Sequence, residues 1–166
     1  MTPVPLIKDP MLLERLEKDL IEKACTALDG AQIAAQVLGV FSLDELESKN
    51  EKELGGLLAV GVGYLGCRST TTQENTAQSQ GRAMNEYRFM ILFAAPVDDQ
   101  LSQRVYATTL LSTLRRGVLG SHIRDDATRT QRTWQFVEEQ PVINESTRTM
   151  LYYTQVWRVA LPAVAD

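Results

Sequence analysis

Residue types that carry catalysis or bind metals are scarce in this sequence. Its 166 residues include one histidine and two cysteines, Cys25 and Cys67. The cysteines are far apart and form no C-x-x-C pair, which favours reduced core thiols over a disulfide or a metal site. No serine or cysteine stands in a recognisable nucleophile motif such as G-x-S-x-G. We therefore predict no catalytic, cofactor-binding or metal-binding residues, and we do not expect an enzyme.

Long apolar runs are missing as well. Nothing approaches the roughly 18 apolar residues of a membrane span, and the first ten residues lack the basic start and apolar core of a signal peptide. A formal net charge of -4 gives no general attraction to nucleic acid or to anionic membranes. We therefore expect a protein that is made or assembled in a cytoplasm and associates with no membrane.

The composition that remains is that of an ordinary soluble globule, with 44% apolar and 23% charged residues. A chain of this length suits one domain, which can bury about 70% of its unfolded surface. We predict a single domain over residues 1–166. Residues 1–8 form an extended arm in this prediction, because Pro3 and Pro5 disfavour a helix.

A glycine pattern, G-x-G-x-x-G, stands at Gly61, Gly63 and Gly66. A dinucleotide site would need a strand before these glycines, a helix opening on them and an acid about 20 residues later, at the end of the next strand. The strand is present, but a polar tract replaces the helix, and Glu86 begins the next apolar run instead of ending it. Alternate strand residues face opposite sides, so these glycines leave one face nearly bare, where a helix or a backbone can approach closely. We predict a strand with a small-residue face and no cofactor.

Apolar periodicity predicts the order helix, strand, short helix, two strands, long helix, two strands. The predicted helices cover about 10–29, 43–54 and 99–118, and the predicted strands about 33–41, 57–65, 85–97, 134–140 and 150–162. The first helix has an apolar face that begins at Leu13, and Ser42 with Glu45 forms a capping-box pattern for the short one. We predict an α+β fold, with a mostly antiparallel sheet packed on one face by the two longer helices, plus one short acidic helix.

The single histidine, His122, lies in a polar segment near Arg115 and Arg116. A solvated loop histidine is the preferred interpretation over a catalytic base. A small metal-dependent hydrolase built on Glu86 and Asp98 stays open as an alternative of a different class, although no ligand spacing supports it.

Opposite charges are concentrated in different parts of the chain. The short helix carries Asp44, Glu45 and Glu47, whereas Arg115 and Arg116 begin a basic segment. A chain with one acidic and one basic surface can meet copies of itself head to tail, and such contacts close into rings when the rotation permits. The plain alternative is two solvated faces.

The sequence resembles the tail terminator (tail completion) proteins of bacteriophages, in particular a Mu-like branch that also occurs in prophages. The resemblance lies in the order of the helices and strands and in a loose similarity of the residues within them. It runs from a helix ending near a glycine through LLAVGVGYLG, a polar loop, NEYRFMILFAA and DDQLSQRVYATTLLSTLRRGVLG to MLYYTQVWRVAL. It spans most of the chain and brings no motif residues that could be carried over as a site.

The resemblance implies a structural virion protein of α+β fold. Such proteins form a six-membered ring on the finished tail tube, halt its polymerisation and offer a surface for joining the head. The implied partners are other copies of the chain, the tail tube protein and head–tail connector or neck proteins, while DNA passes through the ring without specific binding. The implied location is the head-proximal end of the tail, after assembly in the host cytoplasm. Another head–tail joining or neck protein is the alternative within this class.

The polar tract 68–82 joins two predicted strands and has almost nothing apolar to bury. It cannot offset its ordering entropy, about 1–2 kcal/mol per residue, by packing on its own domain. We therefore predict a mobile hairpin loop that becomes ordered against the tail tube or a neighbouring subunit. Its candidate interface residues are Arg68, Thr71, Gln73 and Arg82.

Overall fold

Helices and long strands account for most of the computed structural model, which describes residues 11–49, 58–70, 84–96, 100–125, 130–142 and 150–162. The helices are α1 (Leu12–Gly30), α2 (Leu43–Lys49) and α3 (Gln100–Val118). The strands are β1 (Gln36–Gly39), β2 (Ala59–Thr70), β3 (Met84–Pro96), β4 (His122–Asp125), β5 (Thr130–Thr133), β6 (Gln135–Val142) and β7 (Met150–Pro162).

Five strands form one sheet in the order β1-β2-β3-β7-β6. Only β1 and β2 run parallel, and the other neighbours are antiparallel. The strands β2, β3 and β7, of 12, 13 and 13 residues, form its centre. The strands β4 and β5 form a separate antiparallel hairpin. The predicted α+β fold with a mostly antiparallel sheet is confirmed.

The two long helices cover one face of this sheet, as predicted. Leu16, Leu20, Ala24 and Leu28 recur every four residues along α1, and all four side chains are buried. Leu13 was also expected on this face, but it is 40% exposed. Position 13 is three residues before Leu16, whereas the partly buried Leu12 is four before it and continues the buried row.

The two long helices approach each other closely near their C-terminal ends. A Cβ added to Gly117 of α3 would be in steric conflict with the Ala27 Cβ of α1. Glycine at this position therefore lets the helices lie side by side over the aromatic core. In that core Phe89 and Trp134 meet edge to face at 5.7 Å between ring centroids. The Trp134 indole N–H donates a 2.8 Å hydrogen bond to Asp19 Oδ2 on α1.

The opposite face of the sheet carries α2, and the glycines of β2 make that packing possible. A Cβ at Gly61 would lie 2.6 Å from Val40 Cγ2, and one at Gly63 would be in steric conflict with the Val40 carbonyl oxygen. Val40 and Leu46 are buried here in a second, smaller apolar cluster. The predicted strand with a small-residue face is confirmed. The helix α2 and the backbone of Val40, just before that helix, pack against this face.

Two parts of the chain differ from the sequence prediction. The strand β2 continues to Thr70, which is paired with Met84, so the predicted loop 68–82 is wrong in its first three residues. The segment 122–133, predicted to be a polar loop, contains the hairpin β4–β5. Its strands carry mostly polar side chains, so the sequence lacks the apolar alternation that identifies a half-buried strand. The arm 1–8, the end of the predicted acidic helix and the rest of the predicted loop lie outside the described residues.

Candidate assembly interface

The acidic helix α2 begins with the capping box that the sequence predicts. The Glu45 backbone N–H donates to Ser42 Oγ at 3.2 Å, and Glu45 Oε2 accepts the Phe41 backbone N–H at 2.6 Å. Glu45 also pairs with Lys49 at 2.8 Å. The hydrogen bond to Lys49 lowers the pKa of the Glu45 carboxyl most, and the Phe41 N–H lowers it further. Glu45 therefore has a local structural role in addition to any contact with a partner.

The outer surface of α2 offers both charge and an aromatic side chain. Asp44 is exposed, and Glu47 is partly exposed on the same helix. Phe41, immediately before the helix, is 92% exposed. A free phenylalanine ring in water is unfavourable, and exposed aromatic side chains of this kind are common anchors of protein interfaces.

The two predicted basic residues, Arg115 and Arg116, have different surroundings. The Arg115 guanidinium carbon lies 5.7 Å from the centroid of the Phe136 ring, and its Nη2 is 3.9 Å from Glu139 Oε1 on β6. These contacts with Phe136 and Glu139 keep the Arg115 side chain on the sheet of its own chain. Arg116, on the other side of the helix end, is exposed.

A buried hydrogen-bond network lies beneath Arg115 and fastens α3 to the sheet. Gln155 is fully buried, and its Nε2 donates to the Leu111 carbonyl at 2.9 Å and to Glu139 Oε2 at 2.7 Å. Its Oε1 accepts the Trp157 indole N–H at 3.3 Å. Glu139 therefore links Arg115 at the surface to Gln155 in the core, which orients the last turns of α3.

The sheet separates the acidic surface from the basic one. The helix α2 packs through Leu46 on the face that carries Gly61, whereas α3 packs through Leu110 and Leu114 on the face that carries Val60. Asp44 and Arg116 consequently point away from opposite faces of the same sheet.

Arg68 is exposed on β2 and is paired in register with Glu86 of β3. The Glu86 carboxylate accepts a 3.0 Å hydrogen bond from Arg158 Nη1. The other candidates of the polar tract, Thr71, Gln73 and Arg82, lie outside the described residues.

Sequence reasoning missed the exposed edge of β2. The strand β1 ends at Gly39, opposite Val62, while β2 continues to Thr70, and within the described ranges no strand pairs with that continuation on the β1 side. The register shifts between Tyr64 and Gly66, which leaves Leu65 unpaired and 49% exposed. Gly66 has a φ of 137°. Glycine after an apolar pair is a possible signal of such a bulge, because glycine adopts positive φ without strain.

Groups that could support chemistry are dispersed in the described part of the chain. No group of three or more His, Cys, Asp or Glu side chains is close enough there to hold a metal ion. His122 is exposed on β4, and both cysteines are free. Asp98, the second acid of the alternative hydrolase site, lies outside the described residues. None of the described helices is long and apolar enough to cross a membrane.

Comparison with protein-family models and with curated proteins gives no match for this chain.

Proposed function

We propose that this protein is a structural virion subunit whose copies form a ring on the end of a phage tail tube. The ring ends polymerisation of the tube and provides the surface to which the head is joined. The proposal starts from the resemblance in the order of elements to the tail terminator proteins. The helix and strand order of the described chain is compatible with that resemblance.

The observation that carries the proposal is the position of the two charged surfaces on opposite faces of the sheet. A ring needs a head-to-tail contact, in which one surface of each copy meets a different surface of the next. Two complementary surfaces on the same face would instead favour a two-fold pair. Asp44 in the first turn of α2 and Arg116 in the last turn of α3 lie on opposite sides of the sheet, an arrangement that suits a head-to-tail contact.

Charge alone is too weak to hold such a ring. An exposed ion pair contributes about 0–1 kcal/mol, so the contact needs apolar burial as well. Phe41 and Leu65 provide it in this proposal, since the first is 92% and the second 49% exposed in the isolated chain. Complete burial of one such side chain contributes about 1.5–3 kcal/mol.

The long hairpin formed by β2 and β3 is the proposed contact with the tail tube. Both strands extend well past the end of β1, and Arg68 and Ser69 are exposed near the end of the paired region. An exposed strand edge is a natural place for a partner chain to add hydrogen bonds. In this proposal, the residues that follow Thr70 contact the tube or a neighbouring subunit.

The direct test is to add the purified protein to growing tail tubes and to image the product by electron microscopy. We expect rings of the free or concentrated protein, a ring on one end of each tube, and an arrest of tube growth. The Phe41→Ser variant should fold but form fewer rings, and Val137→Ser, which removes an exposed apolar side chain on β6 outside the proposed contacts, is the matched control. A protein that stays monomeric at every concentration and leaves tube growth unchanged would refute the proposal. Attachment to heads and not to tubes would favour a neck protein of the same virion.

A further inference from the structure

One arginine on the α2-bearing face of the sheet has a side-chain nitrogen without a hydrogen-bond partner in the described part of the chain. Gly66, Arg88 and Arg158 form a row across β2, β3 and β7, because the register pairs Gly66 with Arg88 and Arg88 with Arg158. We call these three residues the arginine notch. Like charges directly opposite each other on neighbouring strands destabilise a sheet.

Among the described residues, hydrogen bonds are recorded for the side chain of Arg158 and not for that of Arg88. Arg158 donates from Nη1 to Glu86 Oε2 at 3.0 Å and from Nε to Gln135 Oε1 at 2.9 Å. The Nε of Arg88 is buried and has no hydrogen-bond partner among the described residues. A guanidinium opposite a second arginine is unfavourable, so a carboxylate that reaches the accessible part of the half-buried Arg88 side chain from outside the chain would stabilise this position.

There is room for such an acceptor beside Arg88. The position opposite it on β2 is Gly66, and a Cβ built there meets nothing within 4 Å. The positive φ of Gly66 disfavours other residues, so this space stays free of a side chain. The notch is therefore an open position next to an arginine whose Nε has no hydrogen-bond partner among the described residues.

A carboxylate fits the notch better than nucleic acid phosphate. Guanidinium and carboxylate groups form planar, paired hydrogen bonds. Glu86 and Glu138 lie on the same face, since they pair in register with Arg68 and Val156. A phosphate backbone crossing the notch would meet these two carboxylates, whereas a single carboxylate side chain can avoid both.

The ring geometry decides which carboxylates of a second copy can reach the notch. The acids of α2 lie on the same face as the notch, so they could meet it only in a two-fold pair. The neighbour in a head-to-tail contact presents its helical face instead. There Glu22 and Asp29 are exposed on one side of α1, seven residues apart and thus nearly in line. Burial raises the pKa of the Cys25 thiol between them, and the charges of Asp29 and Glu22 raise it further.

We propose that the arginine notch of one copy binds the α1 carboxylates Glu22 and Asp29 of a second copy. The contact rests on the proposed ring and deepens it, because the same neighbouring face carries Arg116. The acceptor at Arg88 then comes from the adjacent subunit, and the bare position at Gly66 keeps the space open for it.

The test uses charge exchange in the full-length chain. Arg88→Glu reverses the notch, and the pair Glu22→Lys with Asp29→Lys reverses its partner. Each variant alone should assemble at least ten-fold more weakly than the wild type in sedimentation velocity at low salt. An equal mixture of the two should restore assembly, with the variants alternating in the masses seen by native mass spectrometry, since every contact is then of opposite charge.

Control variants distinguish a failure of the notch contact from a failure of the proposed ring. Arg88→Met removes the charge with less disturbance and should weaken assembly while thermal unfolding by circular dichroism stays cooperative. Gln131→Glu, an exposed change on β5 and outside both surfaces of the proposed contact, should leave assembly within two-fold of the wild type. Absence of wild-type assembly would refute the ring. Normal assembly of Arg88→Glu, or a mixture that fails to restore it, would refute the notch contact while leaving the ring intact. Loss of binding to a DNA oligonucleotide with unchanged assembly would assign the notch to phosphate and overturn the proposal.

Discussion

Replacing Gly63 by alanine should destabilise the fold and displace α2. A Cβ at this position would be in steric conflict with the Val40 carbonyl oxygen and would lie 2.8 Å from Met90 Cε. The end of the Met90 side chain can move aside. The carbonyl cannot, because the Val40 backbone N–H is bonded to the Val62 carbonyl at 2.8 Å and the chain enters α2 three residues later.

The size of the effect follows from this difference between side chain and backbone. Overpacking of a well-packed core costs about 1–3 kcal/mol, and conflict with a backbone atom places Gly63→Ala in the upper part of that range, at about 2–3 kcal/mol. In a domain of this length, each kcal/mol lowers Tm by about 2–4 °C, so we expect a fall of about 4–12 °C. Assembly should weaken as well, because Phe41 and Asp44 move with the displaced segment.

Thermal and urea unfolding followed by circular dichroism measure the change, with Gly30→Ala as the matched control. A Cβ at Gly30 meets nothing within 4 Å, and this residue is the last of α1. Alanine has the higher helix propensity, so the control should be neutral or stabilised by up to about 1 kcal/mol. If Gly63→Ala unfolds at the wild-type temperature, the close approach of Val40 to β2 does not restrict this position, and our explanation of the glycines is wrong.

Three further changes test the network, the cap and the charged surfaces. Gln155→Leu should lower the free energy of unfolding by about 2–4 kcal/mol in urea titration, because it leaves the buried Trp157 indole N–H without its acceptor and Glu139 without the Gln155 donor; an unchanged midpoint would contradict the network. Glu45→Gln should be less stable than the wild type near pH 7. The folded-state pKa of Glu45 is lowered, so its contribution is present above the unfolded pKa of about 4.5 and is lost as the pH falls through the folded pKa. The difference in Tm between the wild type and Glu45→Gln should therefore shrink on going from pH 7 to pH 3. A difference that stays constant would exclude the Glu45 charge as the cause of the lower stability. Arg116→Glu should weaken assembly in sedimentation velocity without changing Tm. Arg115→Glu should weaken assembly and also lower Tm, since Arg115 contacts its own sheet. Equal effects of the two changes on Tm would contradict this distinction.

Periodic and local signals predicted much of the fold. The four-residue spacing from Leu16 to Leu28 predicts the buried side of α1, and Ser42 with Glu45 predicts the start of α2. Both are determined by residues within a few turns of one helix, which is why the sequence alone is enough.

Features that depend on register between distant strands could not be predicted in the same way. In the sequence, Arg88 is one polar residue in an apolar strand, and only the register of the sheet shows that it lies between Gly66 and Arg158. Arg115 looks like Arg116 until the position of β6 brings Phe136 beneath it. The hairpin β4–β5 has little apolar alternation, so no local pattern marks it.

The placement of the tryptophans has a practical consequence for spectroscopy. Trp134 and Trp157 are the two tryptophans of the chain, and both are fully buried in the core beneath the long helices. Their fluorescence should therefore shift to longer wavelength on unfolding but stay constant when copies associate through the α2-bearing face. A Phe41→Trp variant, with an indole at a 92% exposed position, would add an emission signal that reports association directly. Folding and assembly of this protein could then be followed separately in one cuvette.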